Sequence, residues 1–158
     1  MTVANGGTHA PGDGGVGTQT VGGTLTYNSG SIFEWDITTA TNSYDKVSMT
    51  GTLAVTSGAI FKVVSSTAFS DTFWDTNHSW ADIFNGKTMT NFLVSNFQYV
   101  ANGSTLGSPP SAEGYFTISG GTLNWTMVPE LSNLLVGGLL GVGLLMRRRA
   151  AGPPNVEC

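Results

Sequence analysis

The feature that most constrains this chain is an internal repeat. Residues 23–34 read GTLTYNSGSIFE and residues 51–62 read GTLAVTSGAIFK, identical at seven of twelve positions at an offset of 28. Gly120–Trp125, GGTLNW, echoes the opening of the same unit, GGTLTY at Gly22–Tyr27. A fixed period of about 20 to 50 residues marks stacked supersecondary units, and each buries its apolar residues only against its neighbours. Ile32, Phe33, Trp35 and Ile37, then Leu53 and Val55, then Ile60, Phe61 and Val63 recur as short strand-like runs. Glu34 and Asp36 fall on the face opposite Trp35 and Ile37. Gly and Asn-Ser-Gly stretches mark corners. The expected class is all-β. Short strands at this period fit a β-solenoid or the strand pairs of a β-sandwich-like body. Periodicity does not separate the two, and the repeating corners lean toward the solenoid.

The organisation follows from this unit. Residues 1–21 form a Gly-rich loop or partial coil with a short strand at its end. Residues 22–127 form the β-repeat body. Within it, residues 66–100 break the repeat and hold Phe69, Phe73, Trp74, Trp80, Ile83 and Phe84, an aromatic segment suited to covering an open end. Further strand is expected over Phe92–Val100, a loop over residues 101–114, and a last strand pair over Tyr115–Met127 turning at Gly120-Gly121. Residues 1–20 carry neither a basic nor an apolar leader region. The expectation is a fragment, or a start called too far downstream.

Only 10% of the residues are charged, against about a quarter in ordinary domains. Up to Met127 there are three Lys against eight acidic residues, so the body offers no electrostatic footprint for nucleic acid. The one Cys is the last residue, which excludes a disulfide or cysteine metal cluster within the chain.

From Val128 the character changes. Pro129 ends the last strand, because it has no amide donor, and Glu130 follows. Leu134–Met146, LLVGGLLGVGLLM, runs without a charge, and Arg147, Arg148 and Arg149 close it. As a helix these thirteen residues would reach about 20 Å, short of the roughly 30 Å hydrocarbon core. The run nevertheless has no polar face, unlike an ordinary core helix, and a basic cluster abuts it as the positive-inside rule requires. The reading is a sorting and transmembrane tail over residues 128–149, containing a single C-terminal hydrophobic helix. Leu134, Leu135, Val136, Leu139, Leu140, Val142, Leu144, Leu145 and Met146 would be its membrane-facing residues, with a short extension at 150–158.

The stretch VPELSNLLVGGLLGVGLLMRRRA resembles the PEP-CTERM sorting signal of Gram-negative bacteria. Val128, Pro129 and Glu130 match its recognition motif, and Leu131 stands where a second Pro is expected. The resemblance implies processing by exosortase, a membrane cysteine protease, with transient anchoring in the inner membrane. The phrases APGDGGVGTQTVGGTLTYNSGSIFEWDI and YDKVSMTGTLAV are similar to autotransporter-associated β-strand repeats. That resemblance implies a right-handed parallel β-helix.

Candidate chemistry is sparse. His9 and His78 lie far apart; His9 is expected as a solvated loop side chain and His78, with Asp75 and Asp82, as part of a polar cap loop. Glu34 and Asp36 are expected on a solvated strand face. They stand about 7 Å apart by strand rise, wider than the roughly 5 Å of a retaining glycosidase pair. Adding Asp45 offers oxygen ligands for calcium. Trp74 and Trp80 would pack in the cap or stack on sugar rings. No catalytic residue, cofactor or metal site is assigned. The expected function is an exported structural or interaction protein, sorted through its tail to the cell surface or the extracellular matrix. Its expected partners are the exosortase, exopolysaccharide and other envelope proteins. The alternatives are a carbohydrate-binding or carbohydrate-cleaving β-helix, and a soluble β-protein whose last helix packs on its own core.

Overall fold

The computed structural model describes residues 1–129, and the chain is all-β, with no α-helix among the described residues. The first passage of the chain supplies β1 (Thr2–Val3), β2 (Thr8–His9) and β3 (Thr18–Val21). The second supplies β4 (Leu25–Tyr27), β5 (Ile32–Thr38), β6 (Ser43–Tyr44) and β7 (Lys46–Met49), and the third begins with β8 (Leu53–Val55) and β9 (Ile60–Ser65). Equivalent strands pair in parallel. β1, β4 and β8 make one ladder, β2, β5 and β9 a second, and β3 and β7 a third. The chain thus visits three walls in the same order on each circuit.

The sequence repeat is the register of these ladders. Leu25 stands opposite Leu53, Ile32 opposite Ile60 and Phe33 opposite Phe61, each 28 residues on. Alternation turns Leu25, Tyr27, Phe33, Trp35 and Phe61 inward, where all are fully buried. One corner requires glycine on each of the first three circuits. Gly6, Gly30 and Gly58 have φ of 74°, 74° and 92°, a region costly for residues with a Cβ. Gly6 N–H donates to Gly30 O and Gly30 N–H to Gly58 O, each at 2.9 Å.

The spacing is not constant. Thr2 lies opposite Thr26 and Thr8 opposite Ile32, at 24 residues. After β9 the chain leaves the ladders through a 3₁₀ turn at Thr72–Asp75, capped by the Asp71 carboxylate, and through β10 (His78–Trp80). It then returns at a longer period. Val47 N–H donates to Ile83 O at 2.7 Å. The Asn85 amide donates to Met49 O, and the Asn91 amide to Val55 O, each pair separated by 36 residues. β11 (Gln98–Ala101) pairs in parallel with β9, Gln98 opposite Lys62, also 36 residues on. Ile83 and Asn85 thus complete the third layer on β7 without regular strand, and a fourth layer follows, irregular at Asn91 on β8 and regular at β11 on β9. Strand is confined to β11; Val94–Asn96, expected as strand, forms a 3₁₀ turn.

β11 turns back at Asn102-Gly103 (φ 48° and 75°) into antiparallel β12 (Ser104–Leu106). The turn uses the two left-handed residues of a tight hairpin, inside a stretch expected as loop. β13 (Gly114–Ser119) and β14 (Thr122–Met127) form the expected hairpin around Gly120-Gly121, and β10 joins the free side of β14. The GGTLNW echo is therefore not another unit of the stack. Gly120, at φ 58°, reverses the chain, so these residues pair antiparallel with their own neighbour.

Candidate functional site

The residues expected to carry function lie in the tail, and the described residues include only its first two, Val128 and Pro129. Val128 is exposed, and its N–H donates to Glu113 O at 2.8 Å; Pro129 beside it is exposed. Met1–Val128 is one compact unit. Glu130, the apolar run Leu134–Met146 and Arg147–Arg149 lie outside the described residues. Among the described residues no helix is long and apolar enough to cross a membrane.

The aromatic candidates for sugar stacking are core residues. Trp74 is 0% and Trp80 1% exposed. Trp74 packs 4.7 Å from Phe69 and 5.0 Å from Trp125, and its carbonyl accepts from the Trp125 indole N–H at 2.9 Å. Trp80 meets Trp35 at 5.2 Å and donates to Asn42 Oδ1 at 2.9 Å. Neither presents a face to a ligand. Both rings make edge-to-face contacts, which favour aromatic pairs beyond their burial.

His9 corrects the expectation of a solvated loop side chain, for it is 4% exposed. Strand alternation turns it inward from β2 against Phe33, with centroids 5.8 Å apart. Its Nδ1 meets the Tyr27 hydroxyl and its Nε2 meets Gln19 Oε1. A carbonyl oxygen only accepts, so Nε2 carries the proton and Nδ1 accepts from Tyr27. Burial holds the His9 pKa below its usual 6.5 against the opposing Gln19 bond, and pushes the Tyr27 hydroxyl far above its ordinary range. The buried hydrogen bonds orient a neutral ring that no substrate can reach. His78 stacks on Phe73 at 4.0 Å, and its Nε2 lies 2.6 Å from Phe73 O. Asp75 and Asp82 do not join it in a metal cluster, and among the described residues no group of three or more His, Cys, Asp or Glu is placed to hold a metal ion.

The strand-face carboxylates are less solvated than alternation suggests. Glu34 sits opposite Lys62 and accepts from its ammonium at 2.6 Å. Asp36 is 8% exposed, and its Oδ2 is buried without a hydrogen-bond partner. Asp45 is fully buried. Its Oδ1 accepts from Gly17 N–H at 2.6 Å and its Oδ2 from Asp36 N–H at 3.1 Å. Spacing alone did not find this placement. The β5–β6 hairpin makes Asp36 and Asp45 cross-strand neighbours, one step beyond the Ile37–Tyr44 pair. A cleft of about 650 Å³ beside Pro109-Pro110 gathers Phe69, Leu106 and Glu113 without convergent catalytic groups. No model of a known family, no curated protein and no solved structure matches the chain.

Proposed function

We propose that this chain is an exported bacterial structural or interaction protein. In this reading its segment Val128–Arg149 is a PEP-CTERM-like sorting signal, processed by an exosortase-type membrane protease. The β-body is then a short parallel β-helix, serving as a spacer or contact surface in the envelope or the extracellular polymer matrix. The observation that carries the reading is the order of the tail: Val-Pro-Glu, then sixteen uncharged residues ending in the apolar run Leu134–Met146, then three consecutive Arg. It begins where the compact unit ends, at exposed Val128 and Pro129. In this scheme Val128, Pro129 and Glu130 are recognised, Leu134–Met146 hold the chain in the inner membrane, and Arg147–Arg149 stay on the cytoplasmic side. The three parallel walls and glycine corners support the β-helix. The burial of Trp74 and Trp80 removes the aromatic platform from the carbohydrate alternative.

The test is fractionation of the full chain, fused to a signal peptide, in a bacterium that has an exosortase. A variant ending at Val128 serves as comparison. The expected result is membrane association of the full chain and an external product whose mass lacks the Arg cluster. A full chain that stays soluble and uncut, like the truncation, overturns the sorting reading.

A further inference from the structure

The first and second layers of the stack are joined by a side chain as well as by backbone. The fully buried Asp45 carboxylate reaches Gly17 N–H of the first layer and Asp36 N–H of the second. The Asp45 N–H in turn donates to Asp36 O at 3.0 Å. Asp36 therefore lies directly across the hairpin, and like charges placed opposite one another in a strand pair repel. The other charged groups here are few. Glu34 shares β5 with Asp36 and is held by Lys62 of β9. Lys46 of β7 follows Asp45 in the chain, but its ammonium sits 4.9 Å over the Tyr44 ring. Neither cation makes a salt bridge with Asp36 or Asp45.

We propose that Asp36 and Asp45 are a coupled acid pair forming a proton-operated latch between the first two layers, tightest in weak acid, when the pair holds a proton, and weaker when both carboxylates are ionised. Two buried carboxyls with no cation between them cannot both ionise without cost. The Gly17 and Asp36 amides offset part of that cost at Asp45, while nothing donates to Asp36 Oδ2. Desolvation raises the Asp45 pKa from 3.8 to about 6 against those two bonds, with Asp36 and Glu34 adding to it. Desolvation and Glu34 raise Asp36 likewise, and Lys62 opposes. A raised carboxyl pKa means the folded chain binds more protons than the unfolded chain between pH 3.8 and about 6. The latch's contribution is thus complete below that window and lost as pH rises through it. The expected change in the unfolding equilibrium constant across the window is on the order of a hundredfold.

The experiment is a carbon-13 NMR titration of the aspartate carboxyls in the full chain, and in its Asp36→Asn variant. Asp36→Asn keeps the backbone N–H that Asp45 uses and removes only the facing charge. The expected result is an Asp45 midpoint near 6 that moves toward 3.8 in Asp36→Asn. A wild-type Asp45 midpoint at or below 3.8 overturns the latch, and does so even if the variant does not fold. An Asp45 midpoint that is raised but identical in the variant overturns the pairing.

Discussion

Two regions of this molecule reach a packed core by different routes. In the ladders, residues 25–65, like stacks on like: Leu25 on Leu53, Ile32 on Ile60, Phe33 on Phe61. In the antiparallel sheet of β10, β14 and β13 and the 3₁₀ turn packed on it, no strand stacks on a copy of itself, and Trp74, Trp80, Phe116 and Trp125 each occupy a unique place. A ladder with an internal repeat tolerates a shift by one whole unit, because the displaced side chains meet similar neighbours. The small sheet tolerates none. Repetition builds the stack, and the non-repeating aromatics give it one register. Trp80 on Trp35 is the contact through which the second region reads the first.

Removing the hub of the small sheet is the largest test of that contrast. Trp74→Ala is expected to destabilise the full chain by about 3–5 kcal/mol, the usual cost of an emptied tryptophan site. Urea unfolding followed by circular dichroism measures it. Phe61→Ala does the same to the ladders, since Phe61 packs against Phe33, Trp35, Phe92 and Phe97, and a similar loss is expected. Trp80 and Trp35 tie the regions together, so both variants should unfold the body in one transition. Two separate transitions would mean that the sheet and the ladders fold independently.

Glycine substitutions probe the same division at smaller cost. A Cβ at Gly51 would lie 2.3 Å from the Gly23 carbonyl carbon, backbone against backbone between layers. At Gly114 it would lie 2.3 Å from Trp125 Cζ2 and 2.6 Å from Thr126 O. Gly51→Ala and Gly114→Ala are each expected to lose about 1–3 kcal/mol, as overpacking does. Their spectra should differ. Gly114→Ala should perturb tryptophan fluorescence and Gly51→Ala should leave it unchanged; a shared response would show strain passing between the regions.

The same division governs what the sequence reveals. The all-β class, the β13–β14 hairpin and the stacking of residues 23–34 on 51–62 were legible, because strand alternation and a 28-residue offset are local signals. The fourth layer was not. The return to the stack has a period of 36, eight residues longer: Ile83 and Asn85 close the third layer and Asn91 opens the fourth without regular strands. The Asn102-Gly103 turn carried a hairpin signal inside a loop expectation. His9 lay in a Gly-rich opening that resembled solvent-facing loop, and only the pairing of β2 with β5 turned it inward. The burial of Asp36 and Asp45 depends on a hairpin register that no spacing rule encodes.

His9 tests the ladder interior without removing any carbon. Its pKa is lowered chiefly by burial, so the unfolded chain takes up a proton at higher pH than the folded one. The His9 contribution is complete well above pH 6.5 and is lost as pH falls below that value. A ring-carbon NMR titration is expected to place its midpoint below 6.5; a midpoint at the ordinary 6.5 would show that the first layer opens to water. This dependence runs opposite to that of Asp45, so acid weakens the interior at His9 while it tightens the latch.

The smallest effect is expected on the outer face of the ladders. Lys62 and Glu34 are in register and 2.6 Å apart, yet their side chains remain 28% and 19% exposed. An ion pair that wet contributes about 0.2–1 kcal/mol, because water and salt screen it and ordering two long side chains costs entropy. Lys62→Met keeps much of the side-chain packing and removes the charge. It is expected to lower stability by less than about 1 kcal/mol at neutral pH, with the loss shrinking in high salt. It should also raise the Asp36 midpoint, since Lys62 is the cation that opposes the raising of that carboxyl. A loss of several kcal/mol, insensitive to salt, would mean that outer charges rather than inner aromatics hold the layers in register, and would reverse the division of labour between the two regions. The geometry argues against that outcome: inward from the same strands, Phe33 and Phe61 lie 5.2 Å apart and are wholly buried, where salt does not screen their contact.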